Sequence, residues 1–161
     1  MDGLILFSHG SLLCGAGEAL EEHALRLRSS GEWPIVEIGY LNYSDPTFAE
    51  AVARCYEQSA NRIVVLPFFL IPGYFVTKSL PEQVQAAQAK YPDLEFRVAD
   101  AIGFDPALAD MLIAAALEPL GPDKWRDDLA AAARNCRARL DCPLFNTPKC
   151  PHFLISNNTL E

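Results

Sequence analysis

The chain has 161 residues, half of them apolar, and carries 13 Lys and Arg against 21 Asp and Glu; that is enough for one core of ordinary size and too little for two comfortable domains. A formal charge of −8 opposes docking on a phosphate backbone, which needs a basic surface to release counterions, so nucleic acid is not expected as a partner. No apolar run approaches the ~20 residues of a membrane span, and Asp2 stands where a secretory leader carries positive charge, so a cytoplasmic protein off the membrane is expected.

Leu4-Ile5-Leu6-Phe7 is the first short apolar run and reads as a strand. Residues 17–29 follow, with Leu20, Ala24 and Leu27 on one side of a helix. Residues 35–41 form the second strand, and Asp45-Pro46 opens a helix to Gln58, with Asp45 as cap and Pro46 in the first turn. Residues 62–67 are rich in β-branched side chains and predict a strand buried on both faces. Ser79-Leu80-Pro81-Glu82 repeats the helix opening, with Ser79 as cap and an end near Lys90; residues 94–99 alternate and suit a fourth strand near an edge; Asp105-Pro106 starts a helix to about Leu117. This alternation predicts an α/β domain over residues 1–120, a four-stranded parallel sheet with helices on both faces. Gly121-Pro122-Asp123 breaks the pattern, leaving residues 121–161 as a C-terminal extension with a short helix at 125–139 and an irregular, Cys-rich tail.

Open parallel sheets bind ligands beyond the carboxyl ends of their strands, which directs attention to residues 8–11, 42–45, 68–78 and 101–104. Ser8-His9-Gly10-Ser11 leaves the first strand directly, with a glycine that lets the backbone turn toward a ligand. A neutral imidazole there suits a first-row divalent metal and can take up a proton; the same pattern also fits a histidine bonded to a loop carbonyl. The third strand end runs through Phe68-Phe69-Leu70-Ile71-Pro72-Gly73-Tyr74-Phe75, far more hydrocarbon than a loop normally carries. Such a segment either packs beneath other structure or walls a site for a large, flat, apolar ligand.

Phe7-Ser8-His9-Gly10-Ser11, Gly39-Tyr40-Leu41-Asn42-Tyr43-Ser44-Asp45-Pro46, residues 62–67, and Phe69-Leu70-Ile71-Pro72-Gly73 through Leu80-Pro81 together resemble the small sirohydrochlorin and cobalt chelatases of the CbiX and SirB type, in order and spacing over residues 3–117. The resemblance implies a chelatase-type parallel α/β domain, a homodimer in the short members, and insertion of Co, Fe or Ni into a sirohydrochlorin-type tetrapyrrole. It also implies a metal held by two histidines, one in His-Gly-Ser and one in a Gly-x-His-x-x-x-Asp-(Ile/Leu)-Pro pattern. His9 matches the first. At the second, Phe75 stands in the histidine position and Ser79 in the aspartate position, while Asn42 occupies a place where many relatives have glutamate.

The expected site is therefore His9 as proton acceptor and metal ligand, with Asn42 as a poor second donor. Tyr40, Tyr43, Phe68, Tyr74 and Phe75 are candidates to stack on the macrocycle; Ser8, Gly10, Ser11 and Gly73 to shape the strand-end loops; and Lys78 to meet a substrate carboxylate. Two functions fit: a tetrapyrrole metal chelatase, or a protein that binds a tetrapyrrole or metal without insertion chemistry. In the tail, Cys136, Cys142, Cys150 and His152 could bind zinc or an iron–sulfur cluster, or could be free thiols. His23 reads as a surface side chain, and Cys14 and Cys55 as small apolar residues.

Overall fold

The computed structural model describes residues 1–11, 17–119, 121 and 150, which fall into two units. The first comprises Met1–Gly10 and Ala19–Asp105 and holds four parallel strands in the order β2-β1-β3-β4. These are β1 (Asp2–Ser8), β2 (Ile35–Tyr40), β3 (Arg62–Pro67) and β4 (Glu95–Val98), with helices α1 (Glu18–Ser30), α2 (Phe48–Glu57) and α3 (Leu80–Lys90) between them. The α/β architecture and the edge position of β4 agree with the sequence reading. Helix α4 (Pro106–Leu117) belongs to the second unit, as does Ser11. The expected helix at 125–139 lies outside the described residues.

Strand β1 is paired on both sides, with Gly3 to Ser8 against β2 and Asp2 to Phe7 against β3. Side chains alternate along a strand, so β1 feeds two cores. Ile5 and Phe7 join Phe48, Ala51, Val52, Cys55, Ile63, Val65 and Leu80 under α2 and α3, whereas Leu4 and Leu6 join Leu20, Ala24, Val36 and Ile38 under α1. Strand β3 departs from expectation: Ile63, Val65 and Pro67 are buried, but Arg62, Val64 and Leu66 are only half-buried. On that face α1 packs chiefly with β1 and β2 side chains, and Val64 and Leu66 touch the margin of the cluster. In β1, by contrast, Gly3 to Phe7 are all buried, on both faces.

Helix α2 presents Phe48, Ala51, Val52 and Cys55 to the sheet, the i, i+3, i+4, i+7 stripe of an amphipathic helix. Its cap is Thr47, not Asp45. The Asp45-Pro46 peptide is cis, and the Pro46 carbonyl accepts from the Tyr40 amide at 2.9 Å, so this dipeptide belongs to the turn off β2. Thr47 then accepts from the Glu50 amide at 3.3 Å while its own amide donates to Glu50 Oε2 at 2.7 Å, a reciprocal capping box.

Ser79 is likewise not a cap. It has helical dihedrals and no side-chain capping bond, because the helix has already begun as a π-helical turn at Phe75–Ser79. Pro81 accounts for the widening. In an α-helix its ring would clash with the Thr77 carbonyl, and it has no amide to offer that carbonyl. The chain instead takes a longer step, with the Leu80 amide bonded to the carbonyl of Phe75, as in a π-bulge.

Two predictions follow from this packing. Thr47→Ala removes the side-chain half of the capping box and lowers unfolding stability by about 1 kcal/mol in urea titration, without changing the m-value. Cys55 is fully buried, and burial, with a smaller contribution from the Glu37 charge, pushes its thiol up to about 12. Peptide mapping after brief iodoacetamide treatment at about pH 8.5 will therefore show Cys55 unmodified in the native protein and modified in urea. Because the folded-state value is raised, the unfolded chain ionises first. The contribution of this thiol to stability is complete below about pH 8.5 and is lost as pH rises beyond it.

Candidate active site

The carboxyl ends of β1, β2 and β3 place three loops side by side. The ladder continues past the strands: the Leu41 amide donates to the Ser8 carbonyl at 2.9 Å, the Asn42 amide to the His9 carbonyl at 3.0 Å, and the Phe68 amide to the Phe7 carbonyl at 2.7 Å. Gly10 lies at φ +84, and a Cβ there would sit 1.8 Å from the Asn42 carbonyl oxygen, so only glycine lets the β1 and β2 loops approach this closely. The sheet order reverses between β1 and β3, and the crevice at such a switch point is where this class of fold binds ligands.

His9 lies at that crevice, half-buried. Its Nδ1 is 3.1 Å from the Gly10 carbonyl oxygen. A carbonyl can only accept, so Nδ1 carries the proton in the neutral ring and the lone pair is on Nε2. This is the loop-carbonyl bond that the sequence left as an alternative to ligation, and it serves ligation by fixing the tautomer.

Two aromatic rings flank the imidazole. Phe75 lies 4.7 Å away between ring centroids and Tyr43 5.7 Å away, both tilted. Phe75 continues through Phe69 at 6.5 Å to Phe7 at 6.0 Å and Phe48 at 5.6 Å, so a row of rings runs from the core to the site. Tyr74 meets the edge of Phe75 at 5.9 Å. Tyr43 has φ 63, and the Ser44 amide bonds to the Asn42 carbonyl at 2.7 Å around it, a γ-turn of the rare positive-φ kind. Despite that strained backbone the ring is 59% exposed.

The other expected residues divide. Tyr40 is not a wall of the site: it is 5% exposed and packs with Leu6 and Ile38, since the side of β2 on which it falls faces α1. Phe68 is half-buried against the same cluster and lies 5.4 Å from His23, on the opposite side of the sheet from Phe69. Ser8 contributes its carbonyl to the Leu41 amide, and the Gly73 carbonyl accepts from the Val76 and Thr77 amides to start the π-helical turn. Asn42 is exposed and serves through its backbone. Lys78 is exposed and pairs with Glu82 at 3.4 Å, a solvent-screened contact easily exchanged for another anion. Among the described residues no three His, Cys, Asp or Glu side chains converge to hold a metal. Of the tail ligands only Cys150 is described, and its side chain is buried; Cys136, Cys142 and His152 lie outside the described residues.

Three features were not read from the sequence: the strained turn that presents Tyr43, the π-helical turn that presents Phe75, and the row of rings behind it. Pro81, placed seven residues after a helix-starting Tyr74, was the available signal for the second. An apolar hollow of about 210 Å³ between α2 and α3, lined by residues including Val52, Ala86 and Tyr91, includes neither His9 nor its flanking rings.

The CbiX family model matches residues 3–119. The chain is 41% identical over 81 residues to a sirohydrochlorin cobaltochelatase of Methanocaldococcus jannaschii, covering 50% of this chain and 57% of that protein. It is 26% identical to a sirohydrochlorin ferrochelatase of Priestia megaterium, over 70% of this chain and 42% of that one. The chain thus spans about half the length of these two relatives. With a sirohydrochlorin cobaltochelatase of Sulfolobus acidocaldarius it shares 30% identity over 70% of this chain and 87% of the other. Among solved structures, a CbiX protein described as a putative cobalamin biosynthesis protein, from Marinobacter aquaeolei, superposes with TM-score 0.58 at 24% identity, over 73% of this chain and 96% of that one. SirB of Bacillus subtilis subspecies spizizenii in complex with cobalt gives 0.65 at 21% identity, over 83% and 60%. The fold, the order of its elements and the family-model match over most of the length place this chain in the CbiX family.

Proposed function

We propose that the domain is a cytoplasmic chelatase that inserts a divalent metal, cobalt or iron, into a sirohydrochlorin-type tetrapyrrole, and that it works as a homodimer. The observation that carries this reading is the state of His9: Nδ1 is committed to the Gly10 carbonyl and the imidazole is in contact with two exposed aromatic rings. Relatives named as sirohydrochlorin cobaltochelatases and ferrochelatases support the substrate. Among the described residues no helix is long and apolar enough to cross a membrane.

The chemistry needs little more. Insertion exchanges two pyrrole N–H protons for one M²⁺, so two protons must leave as the metal–nitrogen bonds form. Nε2 of His9 takes a proton from a pyrrole nitrogen, passes it to water and is free to take the second. Nε2 has a single lone pair, so it ligates the incoming ion only while unprotonated, before it takes a proton or after it has passed one to water. Tyr43 and Phe75 offer faces for the flat macrocycle, and Lys78 can leave Glu82 for one of the substrate's carboxylates.

A second reading is favoured by Phe75 itself. Its ring carries no donor at the place where the family resemblance expects a histidine, which suits a protein that holds or delivers a tetrapyrrole without inserting metal. The two readings part on turnover.

With metal-free sirohydrochlorin and Co²⁺ followed by absorbance, the chelatase reading expects catalytic turnover that His9→Ala slows by about 10²-fold or more. A rate equal to the uncatalysed one and indifferent to His9→Ala would sink it, and tight binding without turnover would establish the carrier. Tyr43→Gly separates ligand binding from stability. It relieves the positive-φ cost against a loss of backbone entropy, so stability holds or rises by up to about 1 kcal/mol. Sirohydrochlorin affinity, read by fluorescence quenching, falls roughly two- to tenfold with loss of the stacking ring.

A further inference from the structure

We infer that the macrocycle binds before the metal: the metal-free tetrapyrrole settles against Tyr43 and Phe75, and the ion is taken up only by the complex. This rests on the chelatase reading above and goes beyond it to the order of the two substrates.

A divalent first-row ion leaves its water shell only for several nitrogen, oxygen or sulfur ligands. Among the described residues none of the three-residue clusters that could supply them exists, and His9 has one nitrogen committed to a backbone carbonyl. An ion at the usual ~2.0–2.1 Å from Nε2 would lie on an imidazole whose neighbouring rings are Phe75 and Tyr43. A phenyl ring gives it no lone pair, and a phenol in its neutral form is a feeble ligand. Asn42, whose backbone is tied into the loop, brings no charge. Among the described residues of one protomer the ion therefore exchanges hydration for one imidazole and exposed hydrocarbon, a poor exchange.

The macrocycle faces no such penalty. Tyr43 at 59% and Phe75 at 37% exposure can be covered by a flat ring whether or not a metal sits in it, and that covering removes apolar surface from water. Once the ring is in place the donor count changes, since four ring nitrogens join Nε2. The ligands that the described residues lack arrive with the other substrate.

The order is tested by titration and by mixing sequence. In isothermal titration calorimetry Co²⁺ alone is expected to give no saturable binding to the native dimer or monomer, whereas metal-free sirohydrochlorin alone binds saturably. Phe75→His, at a partly exposed position where folding is not at stake, is expected to bind Co²⁺ alone at least about tenfold more tightly than the native chain. In single-turnover mixing, protein preincubated with sirohydrochlorin gives a burst of metallated product on adding Co²⁺; protein preincubated with Co²⁺ and then mixed with sirohydrochlorin gives none. Stoichiometric Co²⁺ binding to the native protein, with a burst from the Co²⁺-loaded form, overturns the order and leaves the chelatase reading standing. An unchanged Co²⁺ affinity in Phe75→His overturns the argument from the hydrocarbon flank. Absence of both sirohydrochlorin binding and metallation defeats the chelatase reading, and the order with it.

Discussion

Everything at the candidate site depends on β1 being hydrogen-bonded on both edges. A strand in that position has no free edge and no slack in register, and a one-residue slip would exchange its two cores. The constraint persists past the last strand residue, because loops from β2 and β3 each donate an amide to the chain beside or beneath His9. A side chain one residue beyond such a strand is held by its backbone before its own contacts are considered. The bond from Nδ1 to the Gly10 carbonyl then fixes the ring. One histidine so placed can do what a freely rotating one cannot, because the entropy of orienting it has been spent in folding.

The aromatic row extends that logic sideways. Phe7 and Phe48 meet edge to face in the core, a pairing worth about 0.5–1.5 kcal/mol beyond its buried area, and Phe69 carries the contact outward to Phe75. The wall beside His9 is thus the outer end of the core, not a mobile loop resting on it. Pro81 completes the arrangement from the other direction by forcing the longer helical step that begins at Phe75. Tyr43 lies in the loop that Asn42 ties to the chain at His9, and backbone strain of its kind is commonly retained at functional sites.

The sequence made the strand order of events plain because short apolar runs and longer periodic stretches differ in period, and period survives without any knowledge of neighbours. His9 was legible for the same reason: it follows the first run directly. What stayed hidden depended on partners. Tyr40 and Tyr43 are both aromatic and three residues apart, yet one is core and the other exposed, and only the side of β2 facing α1 decides between them. Asp45-Pro46 and Ser79-Leu80-Pro81 both look like helix openings. In one the proline belongs to a cis turn and Thr47 caps; in the other the proline sits inside a helix already under way. Local propensity cannot separate these cases, since each dipeptide meets the same local rules. The half-open face of β3 was illegible too, because β-branched residues suit strands with one covered face as well as two.

On the chelatase reading the protein must also let the metal go, and a sparse donor set suits that need. Binding the ion tightly in the ground state deepens the well from which transfer starts, whereas catalysis gains only from interactions stronger in the transition state. During insertion the ion has shed part of its water and not yet acquired all its ring nitrogens. A single imidazole is worth most at that moment, when the coordination sphere is otherwise incomplete. It is worth less at either end, where six waters or four nitrogens already satisfy the ion. On that reading a phenyl ring where the family resemblance expects a histidine gives up ground-state hold on the metal and leaves this transient contact intact. The same ring would add area for the macrocycle, so on the chelatase reading Phe75 favours the tetrapyrrole over the free ion.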